Sequence, residues 1–157
     1  MKVYLAGPLF TASELDFNRR LRDLLEQNGH QVWLPQEQTA DFKDAASIFK
    51  KLLEGLTACD VVIANMDGAD PDSGTSWECG YAYARSKPTI VFRTDTRSRG
   101  DTNLGRYNLM LWASATAHLD GPFRTVDEVA FAIGRALDDG MLARHIREHQ
   151  SGLNIAR

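Results

Sequence analysis

Five short apolar runs, each too brief for a helix of ordinary length, constrain this chain more than any other feature. They read KVYLAG, QVWLP, DVVIANM, PTIVFRT and ATAHL. KVYLAG is nearly continuous in apolar side chains and is closed by Gly7-Pro8. Such a run suits a strand buried on both faces, as in a parallel sheet. Stretches of helical period separate the runs. Residues 12–28 carry Leu15, Leu21, Leu24 and Leu25 at helical spacing, with Gly29 placed to cap the carboxyl end. QVWLP stops at Pro35, and a polar loop is expected after it. Further helices are expected at 45–56 and 75–86, then a long loop from Asp95 to Tyr107. The closing helix, TVDEVAFAIGRAL, starts with Thr125 and Glu128 in capping-box spacing. Strands alternating with helices give an α/β fold. The expectation is a single-domain, flavodoxin- or Rossmann-like three-layer sandwich with a mostly parallel five-stranded sheet. No repeat, low-complexity tract or linker divides the 157 residues, and that length buries a core without staples.

In open sheets of this kind, ligands bind beyond the carboxyl ends of the strands, near the point where strand order reverses. Three polar stretches fall at such ends: GPLF after the first run, PQEQ after the second and DGADPDSGT after the third. The third leads into DSGTSWECGYAYA, residues 72–84, where Glu78 has two readings. Thr75-x-x-Glu78 matches a capping box, with Glu78 as the reciprocal partner of Thr75. In that reading Asp72 and Ser73 form a turn and Gly74 supplies a positive φ. Alternatively, Glu78 is a carboxylate in a first helical turn, held ionised by the helix dipole at the edge of a crevice. A fixed carboxylate meets an oxocarbenium-like transition state and can form a covalent glycosyl ester. Spacing alone leaves both readings open.

Charge removes other classes. The net charge is −3, with 43% hydrophobic and 25% charged residues, so no overall field favours a nucleic acid polymer or an acidic membrane. The N-terminal apolar run is too short for a signal peptide or a membrane span. Cys59 and Cys79 lack metal-ligand spacing and read as reduced thiols of a cytoplasmic protein. No HxxxH or Cys-rich set calls for a metal, and no cofactor is expected. His118, His145 and His149 are scattered and read as surface or core residues.

Three motifs in order, YLAGPLF, DGADPDSGTSWECGYAYA with its following Lys-Pro-led strand, and RTD with NLMLW downstream, resemble the nucleoside 2-deoxyribosyltransferase family from residue 3 to about 112. The resemblance implies one such domain over 1–157. It implies that Glu78 attacks C1′ of a 2-deoxyribose, that the Tyr4 hydroxyl orients it, and that Asp72 holds sugar hydroxyls. Ser73 and Gly74 belong to the same substrate-binding loop. Gly7, Leu9 and Phe10 match a loop lining the base pocket, and Gln36 an amide reading the base edge. Asn108 and Met110 match residues that a neighbouring subunit contributes, which implies a homo-oligomer with shared sites. The expected partners are a deoxynucleoside and a free nucleobase. Many relatives carry an acidic or amide residue where this chain has Leu52, and Asp67 is the expected substitute. The rivals are an N-glycosidase acting on nucleosides or their 5′-monophosphates, with Arg19 and Arg20 as the candidate phosphate site, and a non-catalytic nucleotide-sensing module.

Overall fold

The computed structural model describes residues 1–97, 100, 103, 105–119, 121–139 and 142. The elements are β1 (Lys2–Ala6), α1 (Ala12–Gln27), β2 (Gln31–Trp33), α2 (Pro35–Gln38), α3 (Ala45–Ala58), β3 (Val61–Asn65), α4 (Ser73–Ala84), β4 (Thr89–Phe92), α5 (Leu109–Ser114), β5 (Ala117–Leu119) and α6 (Val126–Asp138). All five expected strands form. They pair in parallel throughout, in the order β2-β1-β3-β4-β5. The order reverses between β1 and β3, so the crevice lies where Gly7 and Met66 leave the sheet.

The two-residue period of the strands sorts the core into two halves. Val3 and Leu5 of β1, with Val61 and Ile63 of β3, pack against α1 and α6. Tyr4 and Ala6, with Val62, Ala64 and Met66, face the layer of α3, α4 and α5. Central strands β3 and β4 are buried along their whole length, which is why they read as unbroken apolar runs. The α1 and α6 helices each open with a capping box, Thr11 with Glu14 and Thr125 with Glu128. Gly29 takes a φ of +83° just past the Asn28 C-cap of α1, a left-handed position that suits glycine. PQEQ departs from expectation. It is a helical turn rather than a loop, because Pro35 at the first helical position presets φ and needs no amide partner.

No helix among the described residues is long and apolar enough to cross a membrane. His118 lies in β5 with its ring stacked on Trp112 at 4.1 Å. His145, His149 and the polar segment 144–157 lie outside the described residues, as does part of the long loop.

One glycine couples the fold to Tyr4. Gly55 of α3 lies against Trp33, where an added Cβ would come 2.4 Å from Cε2 of the indole. Trp33 in turn stacks on Tyr4 at 5.0 Å. A helical glycine changed to alanine ordinarily stabilises, but here the methyl collides with the ring. We expect Gly55→Ala to lose about 1–3 kcal/mol in urea unfolding, the usual cost of overpacking. A gain in stability would show that Trp33 can move aside without consequence.

Candidate active site

Tyr4 is fully buried in the middle of β1, and its hydroxyl donates a hydrogen bond to Oε1 of Glu78 on α4. Small residues make this reach possible, since Ala6 and Ala64 are paired neighbours on the same face of the sheet. Oε2 of Glu78 accepts no hydrogen bond from the described residues, so one carboxylate oxygen is held and the other is open. The Glu78 pKa is pushed up to about 7, by burial above all and by the Asp72 charge, against the Tyr4 hydrogen bond that pulls it down. The Tyr4 phenol is raised far above its ordinary range, by burial first and by Glu78 second. It therefore stays a donor across the accessible pH range.

The helix cap falls elsewhere than expected. Asp72, not Thr75, is the N-cap of α4, and its Oδ2 accepts from the Thr75 amide at 2.8 Å and the Thr75 hydroxyl at 3.1 Å. Thr75 is thus the third helical residue and Glu78 lies in the second turn, beyond reach of a capping box. This removes the capping reading of Glu78. It also corrects the expected effect of the helix dipole, which fades within the first turn; burial governs Glu78 instead. Gly74 is an ordinary helical residue and not a positive-φ turn former. Its added Cβ would come 3.1 Å from Asp72 Oδ2, so a side chain here would press on the capping oxygen. Ser73 is the first residue of the helix and is exposed. Asp72 Oδ1 has no partner among the described residues and is available to a ligand.

The loop leading to Asp72 is clasped from below. Asp67 accepts from the Thr94 amide and hydroxyl, both at 2.6 Å, and from the Asp95 amide at 2.7 Å. Arg93, buried at the end of β4, donates to the carbonyls of Met66, Gly68, Asp95 and Arg97. Its planar fork ties the β3 exit to the β4 exit. Gly68 holds a φ of +106° in the clasped turn, where a side chain would be strained. Sequence reasoning did not single out Arg93; it stood only within the RTD motif, as one charge beside an apolar run.

A second polar set fixes the loop after β1. Asn18 donates to the Pro8 carbonyl at 3.0 Å and to Gln36 Oε1 at 3.2 Å, while Gln36 Nε2 donates to the Leu15 carbonyl at 2.9 Å. Both ends of the Gln36 amide therefore have protein partners. Gln36 braces the loop through these bonds, with one N–H and one oxygen lone pair left beyond them. Gly7 permits the close passage of β1 past β3, since an added Cβ would lie 3.2 Å from Asn65 Cβ. Leu9 is half-buried, and Phe10, 75% exposed, is not a core residue.

Two cavities flank the start of α4, one lined by its N-cap Asp72 and the other by Gly74 and Glu78. A polar one of about 370 Å³ is lined by Phe10, Glu14, Asn18, Asn65, Asp67 and Asp72, among others. An apolar one of about 260 Å³ is lined by Phe49, Leu52, Leu53, Leu56, Gly74, Trp77 and Glu78. Leu52 thus faces the Glu78 cavity, whereas Asp67 lies in the other one with both oxygens accepting. Asp67 does not stand in for a polar side chain at position 52. Asn108 caps α5, accepting from the Met110 amide at 3.0 Å, and Met110 is 77% exposed; neither lines the two cavities. Arg19 pairs weakly with Asp16 at 3.9 Å, and Arg20 lines a separate cavity near the start of α6. Glu128 already accepts from the Arg124 and Thr125 amides there, which disfavours a phosphate. Among the described residues, no three His, Cys, Asp or Glu side chains gather where they could hold a metal ion.

The family model described as nucleoside 2-deoxyribosyltransferase matches residues 3–110. The solved 2-deoxyribosyltransferase of the psychrotolerant bacterium Bacillus psychrosaccharolyticus is 28% identical with a TM-score of 0.66, covering 83% of this chain and 90% of that one. A 2-deoxyribosyltransferase from Leishmania mexicana is also 28% identical, with a TM-score of 0.62 and coverage of 84% and 95%. A CMP N-glycosidase from Clostridium botulinum shares the fold at 20% identity, with a TM-score of 0.60 and coverage of 85% and 98%. No curated protein matches the chain.

The clasp makes its own prediction. Arg93→Lys keeps the charge but cannot reach four carbonyls at once, so we expect a loss of about 1–3 kcal/mol in thermal unfolding. Amide hydrogen exchange at Asp67, Thr94 and Asp95, whose N–H groups are hydrogen-bonded within the clasp, should quicken at least ~10-fold as the loop opens locally. Unchanged exchange there would mean that Asp67 holds the loop without Arg93.

Proposed function

Since the chain belongs to the nucleoside 2-deoxyribosyltransferase family, and so to glycosyl-transferring or glycosidic-bond-cleaving enzymes, we propose that it exchanges the base of 2′-deoxyribonucleosides through a glycosyl ester on Glu78. The observation that carries this reading is the pairing of Tyr4 with one Glu78 oxygen while the other stays open. Oε2 attacks C1′ from one face as the C1′–N bond breaks, and Tyr4 fixes the carboxylate for in-line approach. Asp72 Oδ1, at the edge of the polar cavity, accepts from sugar hydroxyls. A second base then displaces the ester; water in its place gives hydrolysis. Phe10, at the mouth of the polar cavity, covers the sugar side of the bound nucleoside. Exposed Met110, with Asn108 before it, supports closure of the site by a second copy of the chain.

Glu78→Ala should abolish base exchange between a deoxynucleoside and a free base, followed by chromatography, while the protein remains folded. Retention of more than a few per cent of turnover would exclude Glu78 as nucleophile. The pH profile gives an independent check. Glu78 attacks only when ionised, so kcat/KM should fall about tenfold per pH unit below pH 7 and level off above it. Tyr4→Phe should slow transfer by ~10², the equivalent of about 2.7 kcal/mol. It should also move the acidic limb to higher pH, because the lost hydrogen bond had favoured the ionised form. A slower Tyr4→Phe with an unmoved limb would reduce Tyr4 to a packing residue. Stability follows the same titration with opposite sign. A raised carboxylate pKa means the native state binds the extra proton, so stability falls as pH rises from the ordinary carboxylate range to about 7. Glu78→Gln should remove that fall.

A further inference from the structure

The cavity beside Glu78 holds one carboxyl group and no cation to pair with it once it ionises. Of its lining residues, Phe49, Leu52, Leu53, Leu56 and Trp77 are apolar, and Glu78 is the one ionisable group. No cation and no acid other than Glu78 lines it among the described residues. The nearby oxygens are engaged as acceptors or aimed at Glu78, and none of them lines this cavity. Tyr4 already gives its hydrogen to Glu78, Asp67 accepts three hydrogen bonds, and Asp72 accepts two as a helix cap. The aromatic walls add a second feature. Trp77 is 50% exposed and Phe49 49% exposed, set edge to face at 5.5 Å, with Tyr81 stacked behind Trp77 at 5.6 Å. Aromatic faces beside a carboxylate in an apolar recess form a receptor for a flat cation. The volume, about 260 Å³, suits one ring system, while sugar hydroxyls match the carboxylate-lined cavity on the Asp72 side.

We propose that the Glu78 cavity takes a base already bearing positive charge, an N-alkylated purine or a pyridinium, which leaves without a proton from the protein. The proposal rests on the glycosyl-transfer reading above and deepens it by naming the leaving group. Oε2 of Glu78 forms a bond to C1′, the C1′–N bond breaks, and its electron pair neutralises the ring charge, so no proton moves. Water then attacks C1′, the ester C1′–O bond returns its pair to Glu78, and the water proton passes to that carboxylate and on to solvent. A neutral base would instead depart as an anion, and this cavity offers no acid to prevent it. Because a general acid typically contributes ~10²–10⁴-fold, neutral-base nucleosides should be turned over more slowly by about that factor.

Two arms test this. In the binding arm, calorimetry at pH 8 compares 1-methylnicotinamide, a pyridinium cation, with neutral nicotinamide. The cation should bind at least ~10-fold tighter, with the preference lost in Glu78→Gln and reduced in Trp77→Leu; equal binding of the two rings by the wild-type protein overturns the proposal. In the turnover arm, 7-methyl-2′-deoxyguanosine is compared with 2′-deoxyguanosine, each rate divided by its uncatalysed rate. The methylated substrate should show at least ~10²-fold more acceleration, and Leu52→Asp, which adds an acid, should speed only the unmethylated one. Equal acceleration of both substrates, with Glu78→Ala inactive, overturns the charged-base proposal and leaves the glycosyl-transfer reading standing. If Glu78→Ala still turns over either substrate, the transfer reading fails, while the binding arm still decides whether the cavity prefers a cation.

Discussion

The hydrogen bond from Tyr4 to Glu78 joins the centre of the sheet to the helix that crosses over it, and the rest of the site is arranged around it. It runs from a strand residue with no solvent exposure to a carboxylate at the crevice edge. Burial favours the neutral acid and opposes the charged nucleophile that the chemistry requires. A single oriented donor offsets part of that cost and leaves the second oxygen unencumbered. Trp33 stacks on Tyr4 and Gly55 makes room for Trp33, so α3 takes part in setting where the carboxylate points.

The loops around this pair are held by polar groups that do not contact a substrate. Arg93 and Asp67 fix the segment that delivers Asp72, and Asn18 with Gln36 fixes the segment after β1. Both sets are half or fully buried and nearly saturated with partners, as buried polar groups must be. The consequence is a division of labour. Among the described residues, Asp72 Oδ1 and Glu78 Oε2 are open to a ligand, and each carboxylate is held by its other oxygen, Asp72 by Thr75 and Glu78 by Tyr4.

How much of this the sequence discloses depends on the range of the interaction. The five strands were legible because burial on both faces leaves unbroken apolar runs, and the α6 cap because its two partners are three residues apart. The reach of Tyr4 to Glu78 spans 74 residues, and only resemblance to a family paired them. Local spacing does not locate the α4 cap: Thr75 with Glu78 fits a capping box and Asp72 fits a simple N-cap, and in the fold Asp72 caps the helix while Glu78 accepts from Tyr4. The resemblance points to Gln36 and Asp67 as ligand contacts, and the sequence does not show that both have protein partners. Their partners, Leu15, Asn18, Thr94 and Asp95, are brought to them by tertiary packing that no local window contains. The PQEQ turn is illegible for a simpler reason, since a proline and three polar residues carry no apolar period.

The central claim is that Glu78 forms a covalent bond to a sugar carbon, and mass spectrometry of the protein tests it most directly. The protein is mixed with a deoxynucleoside, quenched in acid within the first turnovers, digested and mapped. The account predicts a peptide containing Glu78 heavier by one deoxyribosyl group, absent from Glu78→Ala and chased away by adding a second base. Turnover with no modified peptide at any quench time, or the sugar found on a different side chain, would contradict it.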